Sequence, residues 1–242
     1  MNLLYNLIDW QASAPGLSTA ADWLSWAQRE AALDADQPLA KCSQLPMMTA
    51  RRLSSGSRAA VDCGLALLRR QQIDAIVFTS RHGELERNLR ILNALAARQS
   101  LSPTDFAMSV HNSAVGSLTI AAAAPVVSTS LAAGVDTFQQ GLVEVTALHA
   151  AGYQQVLLVD FDGPVPEPYQ PWLSGETLHI PYAVALVLAS GEQLRCRSQP
   201  AACATESHWP QSLQFLHAWQ AQQRRFTIGG GRINWLWERN DV

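Results

Sequence analysis

The sequence predicts an α/β fold with a mainly parallel sheet and helices on both faces, and three observations predict it. Two short apolar runs rich in β-branched residues, "IDAIVFTS" (Ile73 to Ser80) and "QQVLLVDFD" (Gln154 to Asp162), read as strands buried on both sides. Segments with helical apolar spacing lie between and around them. A third run, "VVSTSLAAGVDTF" (Val126 to Phe138), passes from strand through a small-residue turn into a helical pattern at Val135, Phe138, Leu142 and Val145.

In chain order, Ser18 is placed to cap an amphipathic helix reaching about Leu33, with Trp23, Trp26 and Ala27 on one side. A second helix runs from about Ser54 to Arg70, ahead of the strand at Ile73 to Ser80. Leu85, Leu89, Leu92 and Leu95 then mark a helix from Glu84 to about Arg98. "LSPTDF" reads as a loop, because Pro103 pushes Ser102 out of helical geometry. An extended piece at Ala107 to Val110 is expected before a helix of small residues, about Ala114 to Ala124. The strand Val126 to Ser130, a turn centred on Leu131 and a helix to about Ala151 lead to the strand at Gln154 to Asp162 and a Pro-rich loop, Gly163 to Gly175. "YAVALVLAS" and "EQLRCRSQ" suggest a hairpin around Ser190-Gly191, followed by a helix from about Ser207 to Gln223 and a Gly-rich terminal segment. No repeat or long linker divides the 242 residues, so one domain is expected, with a core at about 40–195 and a short extension at 196–242.

Composition narrows the function classes. Only 15% of residues are charged, where about 25% is usual, so more surface than normal is expected to be small, apolar or covered by a partner, and an oligomer is expected. A net charge of -3 without basic runs gives no footprint for nucleic acid. The N-terminus "MNLLYNLIDW" lacks a basic region and carries Asp9, which argues against a signal peptide and for a cytoplasmic protein. Apolar runs such as Tyr182 to Ala189 fall short of the roughly 20 residues of a membrane span, so no stable insertion is expected. Cys42, Cys63, Cys196 and Cys203 have no C-x-x-C spacing and are read as reduced and structural.

The strand-to-helix turn has the shape of a nucleophile site, since free N–H groups and a positive dipole end gather at a helix N-terminus. Its centre is Leu131, which has no lone pair with which to attack a thioester. A Ser-His-Asp hydrolase built from Ser130, His111 and Asp136 or Asp160 is the enzymatic competitor. It lacks the G-x-S-x-G elbow, because "STSLAAG" has no first Gly and places Ser one position early. Asp136 and Asp160 lie on different elements without a third ligand, so no metal is expected, and Gly229-Gly230-Gly231 lacks the setting of a phosphate loop.

The ten residues Thr129 to Phe138 align without gaps to the Thr-Ala-Cys-Ala-Thr-Gly-Leu-Asp-Ala-Ile turn of β-ketoacyl-acyl-carrier-protein synthases, and "SVHNSAVGSLTI" resembles the segment that precedes it in that family. More narrowly, "RRLSSGSRAAVDCGLALL", "VFTSRHGEL", "SPTDFAMSVHNSAVG" and "LLVDFDGPVPEPY" resemble the short synthase-like chain length factors of aryl polyene pathways, over roughly Trp10 to Ser190. The resemblance implies one thiolase-like half, truncated relative to full ketosynthases, with Leu131 where the family has its acyl-accepting Cys. It further implies a catalytically inactive subunit that needs no cofactor and forms a heterodimer with an active ketosynthase. Acyl carrier protein is met through that complex, and the pair extends a polyene or fatty acyl chain by decarboxylative malonyl condensation. The histidine-bearing second half has no counterpart, since His208 and His217 stand outside its motifs. Arg81, His82, Phe106 and Phe138 are the candidates for lining the acyl tunnel, although Arg81 and His82 are equally placed to pair with Glu84 or Glu86. Met108, Val110, His111, Asn112, Ser113 and Leu118 are the candidates for the dimer interface. Arg51, Arg52 and Arg58 could meet the carrier protein or form a solvated helix face. A stand-alone acyl-binding or scaffold protein is the alternative to the partner subunit.

Overall fold

Alternation of side chains along a strand sets the layers. In the computed structural model, which describes residues 1–29, 33–173, 178–201 and 207–240, strand β4 (Gln155–Asp162) turns Val156 and Leu158 to one core and Leu157, Val159 and Phe161 to the other. It pairs in parallel with β2 (Ala75–Thr79), which pairs in parallel with β3 (Val127–Leu131) at the sheet edge. All five residues of β2 are buried, as expected of a strand covered on both faces.

The sheet is mixed rather than mainly parallel. β5 (Tyr182–Pro200) runs antiparallel to β4, to β1 (Asn2–Ser13) and to β7 (Ile233–Arg239), and β6 (Arg225–Gly229) pairs antiparallel with β7. The order is β3-β2-β4-β5-β7-β6, with β1 on the other edge of β5, giving seven strands. The expected hairpin at Ser190-Gly191 does not form, and β5 is one strand of 19 residues. β1 pairs along both of its halves, with register shifts at Tyr5/Asn6 and Leu7/Asp9. At Gly191 a Cβ would lie 2.1 Å from the Asn6 side chain, so this glycine admits a neighbour rather than a turn.

On one face lie α1 (Ala20–Arg29), α7 (Thr137–Ala150) and α8 (Gln211–Gln220). On the other lie α3 (Ser55–Leu68) and α6 (Ser113–Ala122). The α1 cap is Thr19 rather than Ser18: Thr19 Oγ1 accepts the Asp22 N–H at 3.2 Å, and Asp22 Oδ2 accepts the Thr19 N–H at 2.8 Å, a capping box. Between α3 and α6, Gly64 leaves room for Leu118, whose Cδ2 would sit 3.0 Å from a Cβ there. The stretch expected as an extension feeds the larger core, where Cys196, Phe215, Trp235 and Trp237 pack with Tyr5, Leu142 and Leu158. Cys203 and the end of the Pro-rich loop at Gly175 lie outside the described residues.

Short helix α2 (Met47–Ala50) precedes α3, and α4 (Leu85–Ala96) follows β2. "LSPTDF" is not a loop: Pro103 is the first residue of helix α5 (Pro103–Ala107), where its missing N–H costs nothing, and Ser102 caps it by accepting the Asp105 N–H. Ala107 therefore ends a helix, and Ala107 to Val110 form no strand. Buried Arg87 fastens α4 to α5 through Asp105 at 2.6 Å and to the segment before α3 through the Arg52 carbonyl at 2.8 Å.

Candidate functional site

The carboxyl ends of β2, β3 and β4 converge beside the start of α7, the place where ligands collect in α/β sheets. Continuing the alternation of β4, Asp160 and Asp162 follow Val156 and Leu158 on the face toward α7 and α8. Asp160 accepts three hydroxyls: Thr79 at 2.6 Å, Ser212 at 2.6 Å and Tyr182 at 3.0 Å. Asp162 accepts the Ser80 hydroxyl at 2.6 Å and the backbone N–H groups of His82 at 2.9 Å and Arg81 at 3.1 Å. Burial pushes both carboxyls up to about 6, against hydrogen bonds from Ser212 and Thr79 on one and from Ser80 and His82 on the other that pull them down. Burial raises the Tyr182 phenol as well.

Asp160, Asp162 and Tyr182 wall a cavity of about 50 Å³, lined also by Arg81, His82, Phe138, His179 and Gln211. Arg81 and His82 line this cavity on a loop fixed by Asp162. Burial, helped by Arg81, lowers His82 to about 4, so it is neutral near pH 7. Glu84, the alternative partner of that loop, instead accepts Ser54, Ser57 and Arg87. Phe138 lines the cavity and packs on Phe215 at 5.7 Å. Phe106 does neither: it is 67% exposed on the surface of α5.

Leu131 is the last residue of β3 rather than the centre of the turn, and half-buried it packs against the larger core. Its carbonyl accepts the Ser80 N–H at 3.3 Å. Ala132 and Ala133 make the turn, and Thr137 closes it by accepting the Ala133 N–H at 2.9 Å. The hydrolase reading finds no assembled triad. Ser130 Oγ is buried without a partner, His111 Nε2 meets the Ser80 carbonyl at 3.0 Å, and Asp160 is filled by hydroxyls. Asp136 anchors the C-terminal hairpin, accepting Trp235 Nε1 at 3.0 Å, Gly231 N at 3.1 Å and Gln211 Nε2 at 3.2 Å. Among the described residues no three His, Cys, Asp or Glu side chains gather to hold a metal.

The interface candidates divide. Val110 and Asn112 are exposed, and Met108 and His111 are half-buried. Leu118 is fully buried against Gly64, and Ser113 is buried too, so neither offers surface to a partner. In a helix of small residues the apolar side chains turned inward, and the exposed one is Ile120, at 81%. Sequence reasoning missed Asp162, Tyr182, His179, Gln211 and Ser212. The two acids spaced by one in "VDFD" were the readable signal, since that spacing puts both on one face of a strand.

The β-ketoacyl synthase N-terminal domain family matches residues 23–238. The chain belongs to this family. Its structure superposes on a chain from the complex of the ketosynthase ApeO with its chain length factor ApeC from Xenorhabdus doucetiae, with a TM-score of 0.94 and 56% identity over 98% of this chain and 100% of that one. The ishigamide ketosynthase/chain length factor matches with a TM-score of 0.66 and 12% identity, over 83% of this chain and 68% of that one. A type II polyketide synthase complex of ketosynthase and acyl carrier protein, AntDE:AntF, matches with a TM-score of 0.66 and 8% identity over 99% of each chain. The last two support the thiolase-like ketosynthase fold alone. A comparison with curated proteins finds no match. Among its described residues the chain has no helix long and apolar enough to cross a membrane.

Proposed function

We propose that this chain is the non-catalytic chain-length-factor subunit of a ketosynthase heterodimer that elongates a polyene or fatty acyl chain with malonyl units. The observation that carries the reading is the match, at 56% identity and over nearly all of both chains, to a chain of a ketosynthase–chain length factor complex. The chemistry of the turn agrees with it. Where the resemblance places a nucleophile, Leu131 offers only carbon, so the thioester is held and the condensation done at the partner's cysteine.

The surface for that partner is the free edge of β3. Its inner edge pairs with β2, and among the described residues its outer N–H and C=O groups have no strand beside them. On β3, on the α6 helix that packs beside it and just ahead of that helix, the chain exposes Val127 (53%), Ile120 (81%) and Val110 (51%). A partner strand laid along β3 would satisfy the outer backbone groups and take these side chains out of water. Full burial of each is worth about 1.5–3 kcal/mol, before the cost of association. His111 links this edge to the cavity, since it sits ahead of α6 and holds the Ser80 carbonyl of the Arg81-His82 loop. We assign that loop and Phe138 the role of shaping the far end of the acyl tunnel.

Carrier protein reaches the pair through the ketosynthase, with Arg51, Arg52 and Arg58 as the cations of this chain that could meet it. The reading places the protein in the cytoplasm. The test is co-expression with the ketosynthase encoded beside it: malonyl-dependent elongation is expected from the pair and from neither subunit alone.

A further inference from the structure

The sheet has one bare quarter. The face that α3 covers at Ala183, Ala185 and Val187 of β5 continues along the same strand to Arg195 and Arg197, where no helix of the described residues lies over it. Arg195 pairs across to Glu238, Glu238 to Arg225, and Arg197 to Leu236, so these side chains share one face of β5, β7 and β6. Together they border an open groove of about 480 Å³. Three guanidinium groups stand there around one carboxylate, in a chain whose net charge is -3.

The carboxylate already shows what the groove recognises. Glu238 accepts Arg225 Nη2 at 2.7 Å and Nε at 3.0 Å, and Arg197 approaches it at 3.6 Å. Hydrogen bonding and charge from Arg225 hold the Glu238 carboxyl below the usual range. Arg195 Nε, buried, has no hydrogen-bond partner. A guanidinium fork matches a carboxylate in two bonds, which an ammonium cannot do. Among the described residues that line the groove, three guanidinium groups face one carboxylate, on a floor that includes the aliphatic Leu236.

We propose that this face binds an acidic polypeptide, whose Glu or Asp side chains pair with Arg195, Arg197 and Arg225 and displace Glu238 from part of its contacts. This goes beyond the ketosynthase-partner reading and uses a different surface from the β3 edge. A protein carboxylate fits better than nucleic acid, because the aromatic residues at the groove, Phe226 and Trp237, pack into the core and leave no exposed ring for base stacking. It fits better than a lipid surface, because no exposed large apolar side chain stands among the three arginines to enter a bilayer.

The test uses the full chain and a fluorescein-labelled helical peptide rich in Glu and Ala, with anionic phosphatidylserine vesicles and a single-stranded oligonucleotide as competing probes. Saturable peptide binding is expected, weakened at least about tenfold by the pair Arg195→Gln and Arg197→Gln and by raising salt from about 50 to 200 mM. Glu238→Gln, which frees the guanidinium groups, is expected to tighten it several-fold. Unchanged thermal unfolding of the variants establishes that they are folded, and Glu238→Gln keeps the test open if the arginine pair is not. No saturable binding, binding indifferent to these substitutions, or preferential binding of vesicles or oligonucleotide through the same arginines would overturn the proposal.

Discussion

The carboxylate of Asp162 holds the hydroxyl of Ser80 at 2.6 Å, joining the end of β4 to the end of β2 across 82 residues of sequence. The same carboxylate accepts the next two backbone N–H groups, and Ser80 Oγ in turn accepts the Gly83 N–H at 2.8 Å. From the other side His111 holds the Ser80 carbonyl, and its ring lies 3.1 Å from where a Gly83 Cβ would be. The loop carrying Arg81 and His82 is therefore clamped between the cavity and the edge assigned to the partner.

Removing the clamp strands its donors. Asp162→Ala leaves one hydroxyl and two N–H groups without their acceptor, at about 1–3 kcal/mol for each that water does not reach. The expected loss is about 2–4 kcal/mol in urea unfolding, and Asp162→Asn, which keeps one acceptor oxygen, is expected to lose less. Equal losses in the two variants would contradict the role given to the backbone N–H groups.

Close packing against the clamp gives a second test. At Gly56 a Cβ would stand 2.4 Å from the Asp162 carbonyl oxygen, and at Gly141 it would stand 2.6 Å from Thr79 Cγ2. Backbone on the one side and a β-branched side chain on the other leave little room to yield. Gly56→Ala and Gly141→Ala are each expected to cost about 1–3 kcal/mol, although alanine is the better helix former at both sites. Gly116→Ala, with nothing within 4 Å of the added carbon, is expected to cost nothing.

Much of this arrangement was legible and part was not. The β-branched runs ending at Thr79 and Asp162 announce buried strands because each is short and apolar on both faces. The long β5 was read as two strands because Ser190-Gly191 carries turn chemistry, and only the pairing with β1, nearly the whole chain away in sequence, explains why a glycine stands there. Leu118 and Ile120 look alike in a helix of small residues; which one faces water was decided by Gly64 of α3, a tertiary contact that helical spacing does not encode. Asp136 is one of two acids that could complete a hydrolase triad on residue type alone, and its partners Gly231 and Trp235 lie about a hundred residues onward in a hairpin that carries no motif.

The buried acids predict a pH dependence. Asp160 and Asp162 are raised to about 6, above the roughly 3.9 of an unfolded aspartate. Between those values the folded state binds more protons than the unfolded chain, so their contribution is fully present below the lower value and lost as pH rises through the upper. His82, lowered to about 4, works the opposite way, contributing above about 6.5 and losing that contribution as pH falls toward 4. Asp160→Asn takes one carboxyl out of this balance. The stability of that variant relative to the parent is expected to fall as pH is lowered from about 8 to 4.5 in denaturant titrations, and a difference constant with pH would contradict the burial of an ionisable Asp160.

Restoring a thiol is expected to restore nothing. Leu131→Cys places sulfur at the end of β3, but His111 is engaged with the Ser80 carbonyl and Asp160 with three hydroxyls. No malonyl-dependent elongation by this variant alone is expected in a radiolabel assay, and turnover above the parent would contradict an inactive subunit.

The central claim is that the β3 edge is half of an interface with a ketosynthase, and light scattering on the co-purified proteins tests it most directly. A one-to-one complex is expected, lost when Ile120→Asp and Val127→Asp are combined, because both side chains are exposed and their replacement leaves the core of this chain untouched. A folded double variant that still pairs with the ketosynthase, or a parent chain that stays apart from it, would contradict the account.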